Sequence, residues 1–277
     1  MKQSWRLARA LAVALFAAAP GAMAAAPSHG DEVPPPEVVA QLERLAPQRP
    51  GIIDVYALLV GADGEEDVFR KEVAAARKVL DERLDTKGRS VTLVNRRASP
   101  RPEATLNSLV YALKRIAQRM DRDEDVLFLH ITTHGSGDHV LSFRHPASAL
   151  YGLSPAYLDS ALREARVRYR AIVISACYSG GFVAPLANAE TLVITAADRT
   201  RRSYGCGNDS EITDFSRAFY LKALRETRSL PEAARIAQRI VHAEEQADKR
   251  DHSYPQMRMG AAIAAQLRVL ERRLAGD

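Results

Sequence analysis

Two apolar runs, each stopped by a reactive side chain beside glycine, most constrain what this chain can fold into. The first is Asp125-Val-Leu-Phe-Leu-His-Ile-Thr-Thr-His134-Gly135-Ser136-Gly137. The second is Arg170-Ala-Ile-Val-Ile-Ser-Ala-Cys-Tyr-Ser-Gly-Gly181. A short continuous apolar run bounded by turn residues reads as a strand buried on both faces, the form taken by interior strands of parallel sheets. Open α/β sheets place their ligands and reacting groups outside the carboxyl ends of such strands. His134 and Cys177 fall at those ends.

The rest of the pattern agrees. Residues 52–60, 90–95, 126–131, 172–176 and 192–196 read as strands, and residues 65–84, 102–120, 154–166, 211–226, 231–247 and 261–274 as helices. In the first helix Val68, Val73, Ala76, Val79, Leu80 and Leu84 form an apolar stripe, and the second opens at Pro102, a favoured first-turn residue. Residues 139–144 suggest a short hairpin, with His139 and His145 on an exposed arm. Alternating strands and helices imply an α/β fold with a mostly parallel sheet of five to six strands and helices on both faces.

The ends of the chain differ from its middle. Residues 1–24 have the form of a secretory signal peptide: Lys2, Arg6 and Arg9, then an apolar stretch too short for a membrane span, then Ala22-Met-Ala24. Residues 25–50 hold six prolines and read as a Pro-rich linker, an extended tether with a short helix at 37–45. Residues 51–277 form the domain. The formal charge of +5 falls to about +2 without the three leader cations, and no block of like charge remains, so no nucleic-acid footprint is expected. The leader's form resembles bacterial export signals, which would place the mature chain in the periplasm without a stable membrane anchor.

Cysteine and histidine define the chemistry. Cys177 and Cys206 are the only cysteines, too few for a disulfide scaffold. A standing bridge between them would consume the Cys177 thiol, whereas a reversible one would be a redox lock; counting free thiols separates the two. A thiol becomes a nucleophile as its thiolate, and an imidazole can take its proton and return one to a leaving amine. His130, His134, His139 and His145 fit no zinc spacing, and neither metal nor cofactor is expected. His130 reads as an interior histidine.

The strand–His134-Gly135 block followed by the strand–Ala176-Cys177 block resembles the C13 (legumain, or asparaginyl endopeptidase) cysteine peptidases, a family that includes the catalytic subunit of GPI transamidase and belongs with the caspase-like peptidases. The resemblance runs from about residue 52 to residue 260. It implies a caspase-like fold and a peptide or protein substrate. Cys177 would be the nucleophile, His134 the general base and acid, and the backbone N–H groups of Gly135 and Cys177 the oxyanion donors. Val68-Phe-Arg70-Lys71 resembles the family's Asn-Tyr-Arg block, and Ser203-Tyr-Gly-Cys206 with Asp214-Phe-Ser resembles the stretch after the fifth strand. Arg70, Ser203 and Asp214 would then line a pocket for the residue before the scissile bond. An amide suits it, because arginine donates and aspartate accepts; cleavage after Asn is expected, with Asp favoured only at low pH. Val68 stands in place of the family's Asn, a residue thought to orient the histidine, and Asp198 stands where legumain has Asn. Ser253-Tyr-Pro-Gln-Met-Arg-Met-Gly260 resembles the end of the family's catalytic domain. The same acyl-enzyme would serve hydrolysis or transamidation, and a catalytically silent binding module on the same scaffold is the alternative of a different class.

Overall fold

The computed structural model describes residues 32–276. The expected leader lies outside the described residues, as do residues 25–31 of the Pro-rich stretch. Six strands form the central sheet: β1 (Val55–Gly61), β2 (Ser90–Val94), β3 (Val126–Thr132), β6 (Tyr169–Ser175), β7 (Thr191–Thr195) and β8 (Gln256–Met259), in the order β2-β1-β3-β6-β7-β8. The first five run parallel, and β8 is antiparallel to β7. A two-stranded antiparallel ribbon, β4 (Leu141–Phe143) with β5 (Tyr151–Leu153), stands apart from it. The expected α/β fold with a mostly parallel sheet is the fold observed.

Every residue of β1 and β3 is buried, as continuous apolar runs require. Alternate side chains enter two cores. Tyr56, Leu58 and Val60 of β1 face α1 (Pro36–Glu43), α3 (Leu106–Ala117), α4 (Pro155–Glu164) and the short α5 (Val183–Leu186). Val55, Ala57 and Leu59 face α2 (Asp67–Arg83), α8 (Leu230–Ala247) and α9 (Ala261–Ala275). The same side carries a helix that begins as α6 (Asp214–Ser216), widens to π geometry over Arg217–Ala223 and ends as α7 (Leu224–Glu226). Each fully buried Leu, Phe or Val in these layers contributes about 1.5–3 kcal/mol, so the two cores fix the strand ends firmly.

Several local expectations shift. The second helix opens at Leu106, four residues beyond Pro102, because the Thr105 side chain accepts from the Ser108 amide at 2.9 Å and caps it there. The short helix in the Pro-rich stretch is docked rather than a free tether. Val38, Leu42 and Leu45 enter the core, and Gln41 bonds the main chain of Thr92 on edge strand β2, at 3.1 Å to its carbonyl and 3.0 Å from its amide. His145 is buried, its Nε2 3.1 Å from the Arg96 carbonyl oxygen, so the 139–145 segment is packed down and not an exposed arm. β8 is not marked as a strand in the sequence, since Gln-Met-Arg-Met is only four residues long, too short for its alternation to stand out, and lies half-exposed on the sheet edge. Among the described residues no helix is long and apolar enough to cross a membrane.

Candidate active site

The sheet reverses its order at β1, since β2 lies on one side of it and β3 on the other. Loops from the carboxyl ends of β1 and β3 therefore diverge and leave a crevice. The site is built there and at the neighbouring end of β6.

β6 stops at Ser175, whose hydroxyl is 2.9 Å from that of Thr213. Ala176 and Cys177 follow. Tyr178 then takes a left-handed conformation (φ 57°), which a non-glycine residue adopts at a cost of about 1–2 kcal/mol. That conformation turns the chain into a single 3₁₀ turn, Ser179–Phe182, and leaves Cys177 at the rim. The Tyr178 amide is held by the Arg201 carbonyl at 2.7 Å.

At the end of β3, the Thr133 amide donates to the Ser175 carbonyl at 3.2 Å and ties the two strand ends together. His134 and Gly135 come next. A β-carbon on Gly135 would sit 2.1 Å from the Cys177 carbonyl oxygen, so only glycine lets this backbone lie against that of Cys177. The His-Gly and Ala-Cys blocks are thus brought together. The His134 Nε2 lies 3.2 Å from Oε2 of Glu66, and the Phe69 ring meets the imidazole edge-on at 5.1 Å. Val68 is fully buried. The group against His134 is instead Glu66, two residues earlier, at the N-cap position of α2. In a sequence, a glutamate at a helix start reads only as a partner of the helix dipole.

Cys177 lies within reach of a donor-rich loop. Its Sγ is 3.5 Å from the Ser203 carbonyl oxygen and 3.8 Å from the Ser203 hydroxyl. Hydrogen bonding from the Cys206 thiol pulls the Cys177 pKa down to about 6; burial opposes this, while Ser203 and the nearby His134 assist it. Both cysteines are free and half-buried. Among the described residues, neither the Gly135 nor the Cys177 amide donates to a backbone carbonyl, which leaves both able to bind an oxyanion. The cleft, about 820 Å³, is lined by His134, Gly135, Cys177, Ser203, Cys206 and Asp214 among others.

Of the residues expected to select substrate, Ser203 and Asp214 enter this cleft and Arg70 does not. Arg70 turns back along its own helix to Asp67, at 2.5 and 2.8 Å, the local partner three residues away. The cation at Asp214 is Arg250, which donates to its Oδ2 at 2.8 Å and to Asp248 at 2.7 Å, with its guanidinium 4.6 Å from the Tyr204 ring centre. Arg217 holds the other oxygen of Asp214 at 3.2 Å. No sequence signal marks Arg250, since its partner is 36 residues distant. Asp198 is engaged in its own turn, accepting from the amide and hydroxyl of Thr200.

One described grouping has ligand atoms spaced for a metal, Asp63, Glu66 and His134, within 4.8 Å of one another. Asp63 accepts from the Glu65 amide at 2.9 Å, and the buried Oε2 of Glu66 lies 3.2 Å from His134 Nε2 without a hydrogen-bond partner. Burial raises the Asp63 pKa, and the charge of Glu66 adds to that rise.

A thiol and an imidazole at neighbouring strand ends of a mostly parallel, helix-covered sheet place the molecule among cysteine peptidases of caspase-like fold. More narrowly, the chain belongs to the Peptidase C13 family, whose model matches residues 105–266. Among solved structures, caspase-1 from Spodoptera frugiperda matches with a TM-score of 0.51 at 14% identity, over 75% of this chain and 86% of that one. A pro-sf-caspase-1 structure matches with a TM-score of 0.49 at 14% identity, over 75% of this chain and 91% of that one. At 14% identity the Spodoptera frugiperda caspase-1 structure speaks to fold alone. No curated protein matches the sequence significantly.

Proposed function

We propose that the protein is an exported cysteine endopeptidase that works through a Cys177–His134 dyad. The observation that carries the reading is the contact of the Gly135 backbone with that of Cys177, which sets imidazole, thiol and two unused amides around one cleft. The Cys177 thiolate attacks the scissile carbonyl carbon. Oxyanion charge develops toward the Gly135 and Cys177 amides, and His134 delivers a proton to the departing amine. Water activated by His134 then resolves the thioester. An amine in place of water would give transamidation by the same acyl-enzyme. Glu66 holds the imidazole in position. The test is a fluorogenic Asn-containing peptide assayed with wild type and Cys177→Ala; cleavage that survives the substitution rejects the mechanism.

The pocket chemistry favours a neutral amide. The cleft is lined by two arginines, Arg202 and Arg250, and two carboxylates, Asp209 and Asp214, with Arg250 bridged to Asp214. A balanced cluster rejects a net charge but still offers donors and acceptors to an Asn side chain. Asp214→Ala should reduce kcat/KM for the Asn peptide relative to its Ala counterpart by about tenfold, the worth of one charged hydrogen bond. Equal ratios in wild type and variant would remove Asp214 from the specificity pocket.

Glu66 predicts a separate effect. Glu66→Ala should lower kcat about tenfold or more with little change in KM, because it frees the imidazole rather than altering substrate contacts. Glu66→Gln, which keeps an oxygen for the ring, should recover part of the loss. A rise in KM with kcat intact would show that Glu66 touches substrate instead.

A further inference from the structure

We propose that Cys206 is a resolving thiol for Cys177, and that oxidation links the two in a reversible disulfide that closes the site. The inference rests on Cys177 being the nucleophile, and it adds regulation to that role.

The geometry points this way from three sides. Both sulfurs lie on one cleft, each half-buried and therefore reachable by small oxidants. The loop bearing Cys206 is fastened beside the nucleophile: the Arg201 carbonyl takes the Tyr178 amide, and Ser203 contacts the Cys177 sulfur through its carbonyl and hydroxyl. Gly205 then adopts φ 79°, a conformation that favours glycine, and turns the chain back so that Cys206 enters the cleft. A bond from the Asp214 amide to the Tyr204 carbonyl, 3.1 Å, closes the base of this loop. Residues 205–213 form no helix or strand, and their ties to the body, Asn208 to the Asp67 amide, Glu211 to Lys71 and Thr213 to Glu72, lie beyond Cys206, so the backbone at Cys206 can shift toward disulfide geometry. With only two cysteines in the chain, neither has a competing intramolecular partner.

Electrostatics sets the order of events. Cys177 is the thiolate, held down chiefly by its bond from Cys206, whereas Cys206 keeps its proton because Cys177 and burial push its pKa up. With hydrogen peroxide as oxidant, the Cys177 thiolate attacks one peroxide oxygen. The S–O bond forms, the O–O bond breaks, and the departing hydroxide takes a proton to become water. Sulfur has lost two electrons and peroxide has gained them. Cys177 is now an uncharged sulfenic acid, so the charge that kept Cys206 protonated is gone. Cys206 loses its proton, its sulfur attacks the sulfenic sulfur, the S–S bond forms, and hydroxide leaves and is protonated to water. A dithiol such as dithiothreitol reverses the bridge by exchange and is itself oxidised to its cyclic disulfide.

The experiment treats the mature protein and its Cys206→Ser variant with equimolar hydrogen peroxide. Free thiols, a non-reducing peptide map and peptidase activity are read before and after dithiothreitol. Wild type should fall from two free thiols to none, yield a linked 177–206 peptide, lose activity and regain it with dithiothreitol. The variant should lose activity without a linked peptide and, after prolonged peroxide, fail to regain it as its sulfenic acid oxidises further. Two free thiols in peroxide-treated wild type, or equal recovery in both proteins, would overturn the proposal. A linked peptide in a protein without peptidase activity would leave the pairing standing and remove the peptidase reading. Full activity with no linked peptide would do the reverse.

Discussion

Cys177→Ala should lower kcat/KM for an Asn-containing peptide by at least about 10⁴-fold, because in nucleophile-dependent hydrolysis no other group can form the acyl-enzyme. Its folding stability should stay within about 1 kcal/mol of wild type, since the half-buried thiol fills little core volume. A companion measurement needs no substrate. With a pKa pulled down to about 6, Cys177 is ionised above that pH and protonated below it, so iodoacetamide should label it along a curve rising through pH 6. Cys206, whose pKa is pushed up, should resist labelling over the same range. A labelling midpoint near 8.5, the value of an ordinary thiol, would mean that Cys177 is not activated by its surroundings. Retained peptidase activity in the alanine variant would dismiss the dyad outright.

The parts legible from sequence were those dictated by neighbours along the chain. Burial on both faces writes itself into β3 and β6 as unbroken apolar runs, so their ends, and with them His134 and Cys177, could be located from residues alone. Ser203 and Asp214 emerged from family likeness and do line the cleft. Contacts made across the fold were invisible. Glu66 reaches His134 only because β1 and β3 are adjacent in the sheet, and Arg250 reaches Asp214 only because the segment after α8 returns over the start of α6. Arg70 shows the converse: motif spacing suggested a pocket residue, but an acid three positions away on its own helix captures it first. β8 is hidden for another reason: with four half-exposed residues and one neighbour, its alternation is too short to distinguish a strand.

The largest stability effect should come from Glu72, beneath the cleft. It is fully buried on α2, yet every direction around its carboxylate is answered. His130 of β3 lies 3.1 Å from Oε1, the Ser216 hydroxyl donates to the same oxygen at 2.6 Å, and the amide and hydroxyl of Thr213 donate to Oε2 at 3.2 and 2.7 Å. Burial pushes the Glu72 pKa up, but the bond to His130 and the hydroxyl donors outweigh it, and the pKa ends below its ordinary value. Glu72→Ala strands three donors and the histidine in a dry interior, at a cost of about 3–5 kcal/mol. For a domain of this size that lowers Tm by about 6–20 °C. Because the folded pKa lies below the unfolded one, the wild-type carboxylate contributes its full stabilisation above the unfolded value, and that contribution drains away as pH falls through the folded value. The gap in unfolding free energy between wild type and variant should therefore be constant near neutrality and narrow below about pH 4. Thr213 caps the helix that carries Asp214, its hydroxyl accepting from the Ser216 amide, so loosening Glu72 should also raise KM for the Asn peptide while sparing alkylation of Cys177. A urea titration showing a loss below about 1 kcal/mol would mean that water replaces the carboxylate and the network does not hold the loop.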